Sequence, residues 1–400
     1  MEKRDVAIVG GGLVGPALAC ALAGAGFRVA VIDAKGEETR RDPAFDGRAY
    51  AVTLATQRLL GQIGIWEAVA DKAQPIRDIH VSEGGAEAPL LHFDPRELDE
   101  GRFGWILEDR FLRGALLDRM EALGAAPIIA EVTGLEQGPL ARLSLEGGRQ
   151  LETPLVVAAD GRRSRLAAGA GIRRIGWSYA QTGLVNAIEH DHPHGGLAHQ
   201  SFFPGGPFAV LPLTGNRCSL VWSERRDTAE ALAALSDAEF TAQIARRIGT
   251  RLGEIKLIGK RWAYPLDLTL ALSYVAPRLA LAGDAAHGIH PIAGQGMNLG
   301  MRDVAALAEV LTDAARLGLD IGAPGVLERY QRWRRFDATM MALGTDALNR
   351  LFSNDNKPLS ALRQAGLRAV GGLDALRRGF MREAIGATGT PPKLLRGEPL

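Results

Sequence analysis

Apolar residues along the chain fall into runs of distinct kinds. Four short unbroken runs end in glycine or aspartate: "DVAIVG" and "RVAVID" near the start, "LVVAAD" in the middle and "LALAGD" late. Such runs, lacking polar alternation, predict strands buried on both faces, as in a parallel sheet covered by helices. Val14 to Ala25 predicts a helix between the first two, giving a strand–helix–strand order. Helical spacing returns from Leu107 to Leu123 through Phe111 and Ala115, and "PIIAEV" and "ARLSLE" predict further strands. The middle third changes character. "LVNAIE", "HQSFF", "FAVLPL" and "CSLVW" are short β segments punctuated by Gly and Pro, the pattern of an antiparallel sheet. After "LALAGD", Val304, Leu307, Ala308, Leu311 and Ala315 share one helix face.

The predicted fold class is α/β: a Rossmann-like parallel sheet, an inserted antiparallel β-sheet substrate domain and a C-terminal helical region. The expected boundaries are 1–75, 99–172 and 276–345 for a discontinuous nucleotide-binding domain. Residues 76–98 and 173–275 form the substrate domain, and 346–400 the helical region. At 400 residues the chain has room for two or three cores.

Charge and cysteine usage narrow the field. Lys and Arg total 47 against 46 acidic residues, so the net charge of +1 gives nucleic acid no electrostatic purchase. Cys20 and Cys218 stand alone, which supports neither a disulfide framework nor a thiolate metal site and fits a reduced, cytoplasmic compartment. "MEKR" followed by an uncharged run from Val6 to Phe27 raises the question of a signal peptide or membrane span. The glycines and Pro16 inside that run, Asp5 at its edge and the strand after it fit a buried βαβ unit better. Beyond Thr345, Arg363, Arg368, Arg377, Arg378 and Arg382 stand among Leu362, Leu367, Leu373, Leu376, Phe380 and Met381. Such helices either pack on their own chain or another subunit, or lie peripherally on the inner face of a membrane.

The candidate chemistry sits at the two ends of the nucleotide-binding pattern. Gly10, Gly12 and Gly15 follow a strand and open a helix, so backbone amides and the helix N-terminus can meet a pyrophosphate. Asp33 ends the next strand, where a carboxylate accepts hydrogen bonds from an unphosphorylated ribose, that of FAD or NAD. The late stretch "LALAGDAAHGIHPIAGQGMNLGMRDV" gathers Asp284, Gly294, Gly296 and Gly300 in one bend and favours FAD. Asp284 can face ribityl hydroxyls, and the helix beginning near Gly296 can aim its N-terminus at the pyrimidine side of an isoalloxazine. A helix terminus supplies about 1 kcal/mol, short of the ~1.4 that moves a pKa by one unit. Backbone amides donating charged hydrogen bonds, at ~1.5–3 kcal/mol each, matter more. His287 and His290, as HxxH beside Asp284, could be read as metal ligands, but a Gly- and Pro-rich bend is not preorganised and no fourth ligand is evident, so no metal is expected. No nucleophile elbow supports a hydrolase.

Together the GxGxxG start, "DGRRS" and "AGDAAHGIHPIAGQGMNLGMRD" resemble the single-component FAD aromatic hydroxylases related to para-hydroxybenzoate hydroxylase. Within that superfamily "HPIAGQGMNLGMRDV", "FFPGGPFAVLPL" and "LNRLFSNDN" resemble the ubiquinone-biosynthesis hydroxylases, over nearly the whole chain. The resemblance implies an FAD site made by Gly10, Gly12, Leu13, Val14, Gly15 and Asp33 on the ADP side. It adds Arg48 in "DGRAYAVT", Arg110 in "EDR", Asp160 and Gly161 of the DG motif, and Gly283 and Asp284 of the GD motif. Pro291, Gly294, Gln295, Gly296, Met297 and Asn298 follow as the loop under the flavin ring. The DG motif departs from the usual DGxxSxxR: after Ser164 the expected arginine is Ala167, with Arg162, Arg163 and Arg165 displaced, which leaves the electron donor open between NAD(P)H and another.

The implied reaction is reduction of FAD, formation of a flavin hydroperoxide with oxygen, and attack on an electron-rich phenol ring, the protein orienting the substrate and excluding water. A polyprenylated phenol suits the apolar middle sheet, since each buried methylene contributes ~0.8 kcal/mol. No catalytic base stands out among His199, Arg217 and Tyr264. A flavin-dependent reductase of isoprenoid double bonds and a non-catalytic FAD-binding scaffold remain alternatives, as do a homo-oligomer and an assembly with other quinone-biosynthesis enzymes. An NAD dehydrogenase leaves the late glycine bend without a role.

Overall fold

In the computed structural model, which describes residues 2–36, 40–84, 89–354, 356, 366, 372–386 and 389–400, the four unbroken apolar runs lie side by side. Val6–Val9, Val29–Asp33, Leu155–Ala158 and Leu279–Leu281 pair in parallel and are buried along their whole length. Val275–Ala276 and Pro127–Ile129 close the two edges of this six-stranded sheet. Strands with no polar side need cover on both faces. The helices Val14–Gly24, Asp109–Ala122 and Gln295–Arg316 supply it from the same core. This is the α/β class expected. The second of these helices starts later than its spacing suggests because Gly104–Glu108 is a strand, with Leu107 paired to Tyr50. In the third, Val304, Leu307, Ala308 and Leu311 are buried while Ala315, in the final turn, is exposed.

Among the described residues the second large sheet has eight strands. In order they are His287–Gly288, Ile255–Ala271, Arg174–His190, Arg217–Arg225, Gly206–Leu213, Leu197–Phe203, Asp78–Glu83 and Leu91–Phe93. All neighbours are antiparallel except Leu197–Phe203 with Asp78–Glu83. Residues paired across strands share a face. Phe208, Trp222 and Leu184 occupy the outer face, packed on Phe240 and Ile244 of the helix Asp237–Ile248. The inner face carries Gln200, Ala209, Val221, Val185 and Trp262 in one row, and Ser223, Gly183 and Tyr264 in the next. Although they stand on central strands, Val185, Val221 and Trp262 stay only half-buried, so the middle of this face is open. Its margins are closed. Phe202 stacks on Phe352 at 4.2 Å between ring centroids, Ser219 Oγ donates to the Gly47 carbonyl at 3.3 Å, and the Arg48 guanidinium lies 5.1 Å over the Trp262 ring.

The strand Ile255–Ala271 bulges opposite Asn186, with Gly259 at φ +71°. There the Lys260 amide and Trp262 Nε1 both donate to the Asp46 carbonyl, at 3.2 and 2.8 Å. The bulge grips the loop carrying Arg48, the placement common for bulges beside functional sites.

The helix Pro324–Phe352 runs unbroken through residue 345. Of the basic C-terminal residues, Arg363 and Arg368 lie outside the described residues. The helix Asp374–Ile385 buries Met381 and Ile385 against Leu54, Leu98 and Phe103. Arg377 and Arg382 pair with Glu97 and Asp99 of the same chain, so this helix uses much of its apolar and basic surface internally. No helix among the described residues is long and apolar enough to cross a membrane.

Candidate functional site

The three glycines of the first loop do different things. A Cβ on Gly15 would stand 1.9 Å from the Gly10 oxygen, and one on Gly10 would stand 2.2 Å from the Ala159 oxygen, so both are glycines because protein backbone passes against them. A Cβ on Gly12 meets nothing within 4 Å. Gly11 rests directly on the Asp33 carboxylate, which accepts from the Lys35 amide at 3.1 Å and pairs with Arg40. The helix Val14–Gly24 begins at Leu13 with no side-chain cap and no acidic residue in its first turn. The helix Gln295–Arg316 begins the same way at Gly294, which has φ +62°. Side-chain caps are present at Thr53, Ser164 and the Ser236–Glu239 capping box, while the helix Pro324–Phe352 also starts without one. Two helix starts with no side-chain cap, beside glycines that open onto free space at Gly12 and Gly296, fit an anionic dinucleotide and an electron-rich ring.

Val14 brings the two ends of the chain together. A Cβ on Gly283 or Gly300 would stand 2.9 or 2.6 Å from Val14 Cγ2, so Gly300 is required by packing. The DG and GD motifs meet as well. Arg162 Nε donates to Asp284 Oδ2 at 3.1 Å, and Arg174 donates to the carbonyls of Arg162 and Ala285. Asp160 Oδ2 accepts from the Arg165 amide at 3.1 Å and Ser164 caps the helix Arg165–Gly169. Asp160 Oδ1 is buried with no hydrogen-bond partner and Gly161, at φ +85°, opens onto free space.

The late loop is held from below. The Asn298 side chain is spent within the protein: Oδ1 accepts from the Thr53 amide at 3.2 Å and from Thr56 Oγ1 at 2.8 Å, and Nδ2 donates to Ala51 O at 2.8 Å. It staples the bend to the strand Ala49–Thr53, leaving backbone rather than its side chain for a ligand. Met297 is half-buried and Gln295 buried; Pro291 precedes the 3₁₀ turn Ile292–Gly294. Beneath lies Asp303, fully buried, accepting from the Gly283 amide at 2.8 Å, His287 Nε2 at 2.6 Å and Arg334 Nε at 2.8 Å. Burial raises its pKa, but His287 and Arg334 outweigh burial and hold it below the usual carboxylate range.

Arg48 and Arg110 sit on two buried carboxylates beside the inner sheet face. Asp109 takes Arg48 at 3.1 Å, Arg113 at 2.7 Å and the Tyr50 hydroxyl at 3.0 Å. Glu108 takes Arg110 and Arg217, each at 2.8 Å. Sequence reasoning found the arginines and missed Glu108, Asp109, Asp303, Arg40 and Arg174. Only the adjacency of "ED" to Arg110 could have pointed to the first two.

The candidate bases separate. Arg217 is held by Glu108, and Tyr264 stacks on Trp262 at 6.1 Å on the inner face. His199 is on the outer side, 2.9 Å from Ser82 Oγ. His290, read from sequence as a shaper of the bend, is fully buried and half of a defined network. Gln181 Nε2 donates to Gly205 O at 2.8 Å, so its Oε1 accepts from Asn349 Nδ2 at 3.0 Å and His290 Nε2 at 3.3 Å. His290 Nδ1 is then a bare acceptor with no partner. Burial, aided by Arg162 at His290 and Arg251 at His199, pushes both imidazoles down to about 4. The unfolded chain protonates them near 6.5, so it binds more protons between these values. Stability is therefore expected whole above pH 6.5 and falling from there toward 4. Thermal midpoints at pH 7 and pH 5 should differ less in His290→Gln than in the wild type; an unchanged difference would remove His290 from this account. Among the described residues no three His, Cys, Asp or Glu side chains gather in a metal-holding group.

A parallel sheet with a glycine cradle, DG and GD motifs in contact, and a second sheet facing them define an FAD-binding flavoprotein fold. The chain belongs to the FAD-binding domain family, which matches residues 3–342. It is 49% identical to the ubiquinone hydroxylase UbiL of Rhodospirillum rubrum, over all of this chain and 94% of that protein. It is 38% identical to the 3-demethoxyubiquinol 3-hydroxylase of Escherichia coli, over 96% and 99% of the two. The p-nitrophenol 4-monooxygenase PnpA of Pseudomonas putida shares the fold at a TM-score of 0.80 and 22% identity, over 98% and 100% of the chains.

Proposed function

We infer that this chain is an FAD-dependent monooxygenase that hydroxylates the aromatic ring of a polyprenylated phenol in ubiquinone biosynthesis. The observation that carries the reading is full-length similarity to ubiquinone hydroxylases combined with an uncapped glycine cradle at both ends of the nucleotide fold. FAD, when bound, supplies oxygen activation once a donor, NAD(P)H or another, has reduced it.

The chain's own residues bind, orient and shield. Amides at Gly12, Leu13 and Val14 meet the pyrophosphate, Asp33 the ribose and Asp284 the ribityl chain. The bend Gly294–Asn298 lies under the ring, and Arg48, Arg110, Asp160 and Gly161 complete the cofactor site. The phenol lies on the open inner row of the antiparallel sheet, over Val185, Val221 and Trp262. Two buried polar atoms there, Gln200 Nε2 and Ser223 Oγ, have no partner in the protein and suit the oxygens of a substituted phenol. The His290 Nδ1 lone pair could accept a hydrogen bond from a phenol hydroxyl. Half-buried valines supply apolar area and exclude water.

The test is spectral and chemical. Purified protein is expected to be yellow, to release FAD on denaturation, and to convert a polyprenyl phenol to a product one oxygen heavier when given oxygen and a reductant. Loss of a double bond with no oxygen demand would instead establish the isoprenoid reductase. Bound FAD with no turnover of any donor would leave the scaffold.

A further inference from the structure

The hydrogen bonds around His290 can run in one direction only. A backbone carbonyl accepts and never donates, so Gly205 O, 2.8 Å from Gln181 Nε2, fixes the NH₂ end of that side chain and turns its oxygen the other way. Two groups reach that oxygen, Asn349 Nδ2 at 3.0 Å and His290 Nε2 at 3.3 Å, and both must donate to it. Asn349 is itself held, since Ser353 Oγ donates to its Oδ1 at 2.8 Å. The proton of a neutral His290 is therefore on Nε2, and Nδ1, buried with no partner, carries a lone pair. Gln181, Asn349 and His290 are 5%, 4% and 0% exposed, so water offers these groups no alternative bonds.

The groups that face His290 keep it neutral. The Tyr179 ring stands edge-on at 5.1 Å between centroids, and burial keeps its hydroxyl un-ionised. Burial first, then Arg162, push the imidazole down to about 4 against the opposing pull of Asp346. Both charges are engaged elsewhere, Arg162 with Asp284 at 3.1 Å and Asp346 with Arg350 at 2.9 Å.

The locked imidazole borders the open sheet face. Gln181 lies two residues before Gly183 on the same strand and points to the same side. A Cβ on Gly206 would stand 2.9 Å from both Gln181 Nε2 and Ser223 Cβ, so Ser223, whose hydroxyl has no partner, is the neighbour of this network. A lone pair in such a place stabilises a phenol O–H and repels a phenolate oxygen. We propose that Gln181 is a positioning residue that holds His290 as a fixed acceptor, so that the site takes its phenol un-ionised, by the hydroxyl hydrogen. The un-ionised phenol rests on the substrate inferred above, whereas the proton position on His290 does not. A phenol that keeps its proton is a poorer nucleophile than its anion, so ring activation has to come from its other substituents. The substrate class narrows to phenols bearing further electron-donating groups.

The test uses the full-length FAD-loaded protein. Nitrogen-15 NMR of histidine-labelled protein, with His290→Gln to identify the signal, should find the His290 proton on Nε2 and Nδ1 bare at pH 7. In Gln181→Glu a carboxylate faces Nε2, and the same ring should be doubly protonated. A 2-alkyl-4-nitrophenol, which titrates near neutral pH and is yellow as its anion, reports the bound state after subtraction of the flavin spectrum. Wild type at pH 7 should move the phenol-to-phenolate ratio about 10-fold toward the phenol, one pKa unit. Gln181→Glu should move it the other way, because a charged imidazole donates from Nδ1. Should Gln181→Glu lose its flavin, His290→Phe keeps a ring without a lone pair. It should bind the un-ionised probe ~5-fold more weakly and the probe's methyl ether as well as wild type does. A wild-type proton on Nδ1, a phenolate band that deepens on binding to wild type, or a Gln181→Glu protein that matches wild type in both readouts overturns the proposal. Failure to bind any phenol would remove the substrate reading and the un-ionised phenol together, and leave the tautomer of His290 as measured.

Discussion

Gly12→Ala is expected to give a folded protein of near wild-type stability that purifies colourless and binds added FAD at least ~100-fold more weakly, the equivalent of one or two lost charged hydrogen bonds. The apparent contradiction, harmless to the fold and severe for the ligand, follows from where the methyl goes. Nothing in the protein lies within 4 Å of it, and Gly12 has no positive φ that alanine would resist. The only thing it can obstruct is whatever fills that space. Gly15→Ala is the contrast: its methyl stands 1.9 Å from the Gly10 oxygen, so it should lower stability by ~1–3 kcal/mol or more before any ligand is considered. Isothermal titration with FAD and urea unfolding of both variants separate the effects. If Gly12→Ala retained wild-type affinity, the cradle would have been misplaced.

The second large effect is at Asp303. Asp303→Asn keeps the volume but leaves the buried Arg334 without its fully buried partner anion and the Gly283 amide with a weaker acceptor. Breaking a buried pair from one side costs ~3–5 kcal/mol, so the variant should be among the least stable single substitutions in the chain and should hold flavin poorly. Asp337→Asn, at a carboxylate one-third exposed, should cost clearly less. Because the native Asp303 pKa is depressed, its contribution is full above the ordinary carboxylate pKa and disappears as pH falls through the depressed one. Asp303→Asn should therefore flatten the acid limb of a stability–pH curve. Equal unfolding midpoints for the two variants would remove the special role of Asp303.

The parallel sheet was legible because a strand buried on both faces has no choice of residue: "VAIV", "VAVID", "LVVA" and "LAL" are apolar throughout. The glycine loop and late bend were legible because close approach restricts residues to glycine. Ile255–Ala271 was harder to see. Gly259, Lys260 and Arg261 interrupt it at a bulge, and Pro265 and Asp267 break the alternation, yet it is one of the two longest strands among the described residues. Asp303 illustrates the rest. Its neighbours in sequence suggest a polar residue on a helix, and its importance exists only once His287, Arg334 and Gly283 surround it. Carboxylates that organise arginines across long separations, as Glu108 does for Arg217, leave no local spacing to detect.

The middle position of Val6–Val9 has a consequence for biosynthesis. This strand pairs with Leu155–Ala158, which in turn waits for Leu279–Leu281, and Val14 finds its glycines only after residue 300 is made. A nascent polypeptide therefore carries an apolar strand and an unfilled phosphate loop through most of translation. The open edge of that strand is then the surface most exposed to wrong pairing until its distant partners have been made.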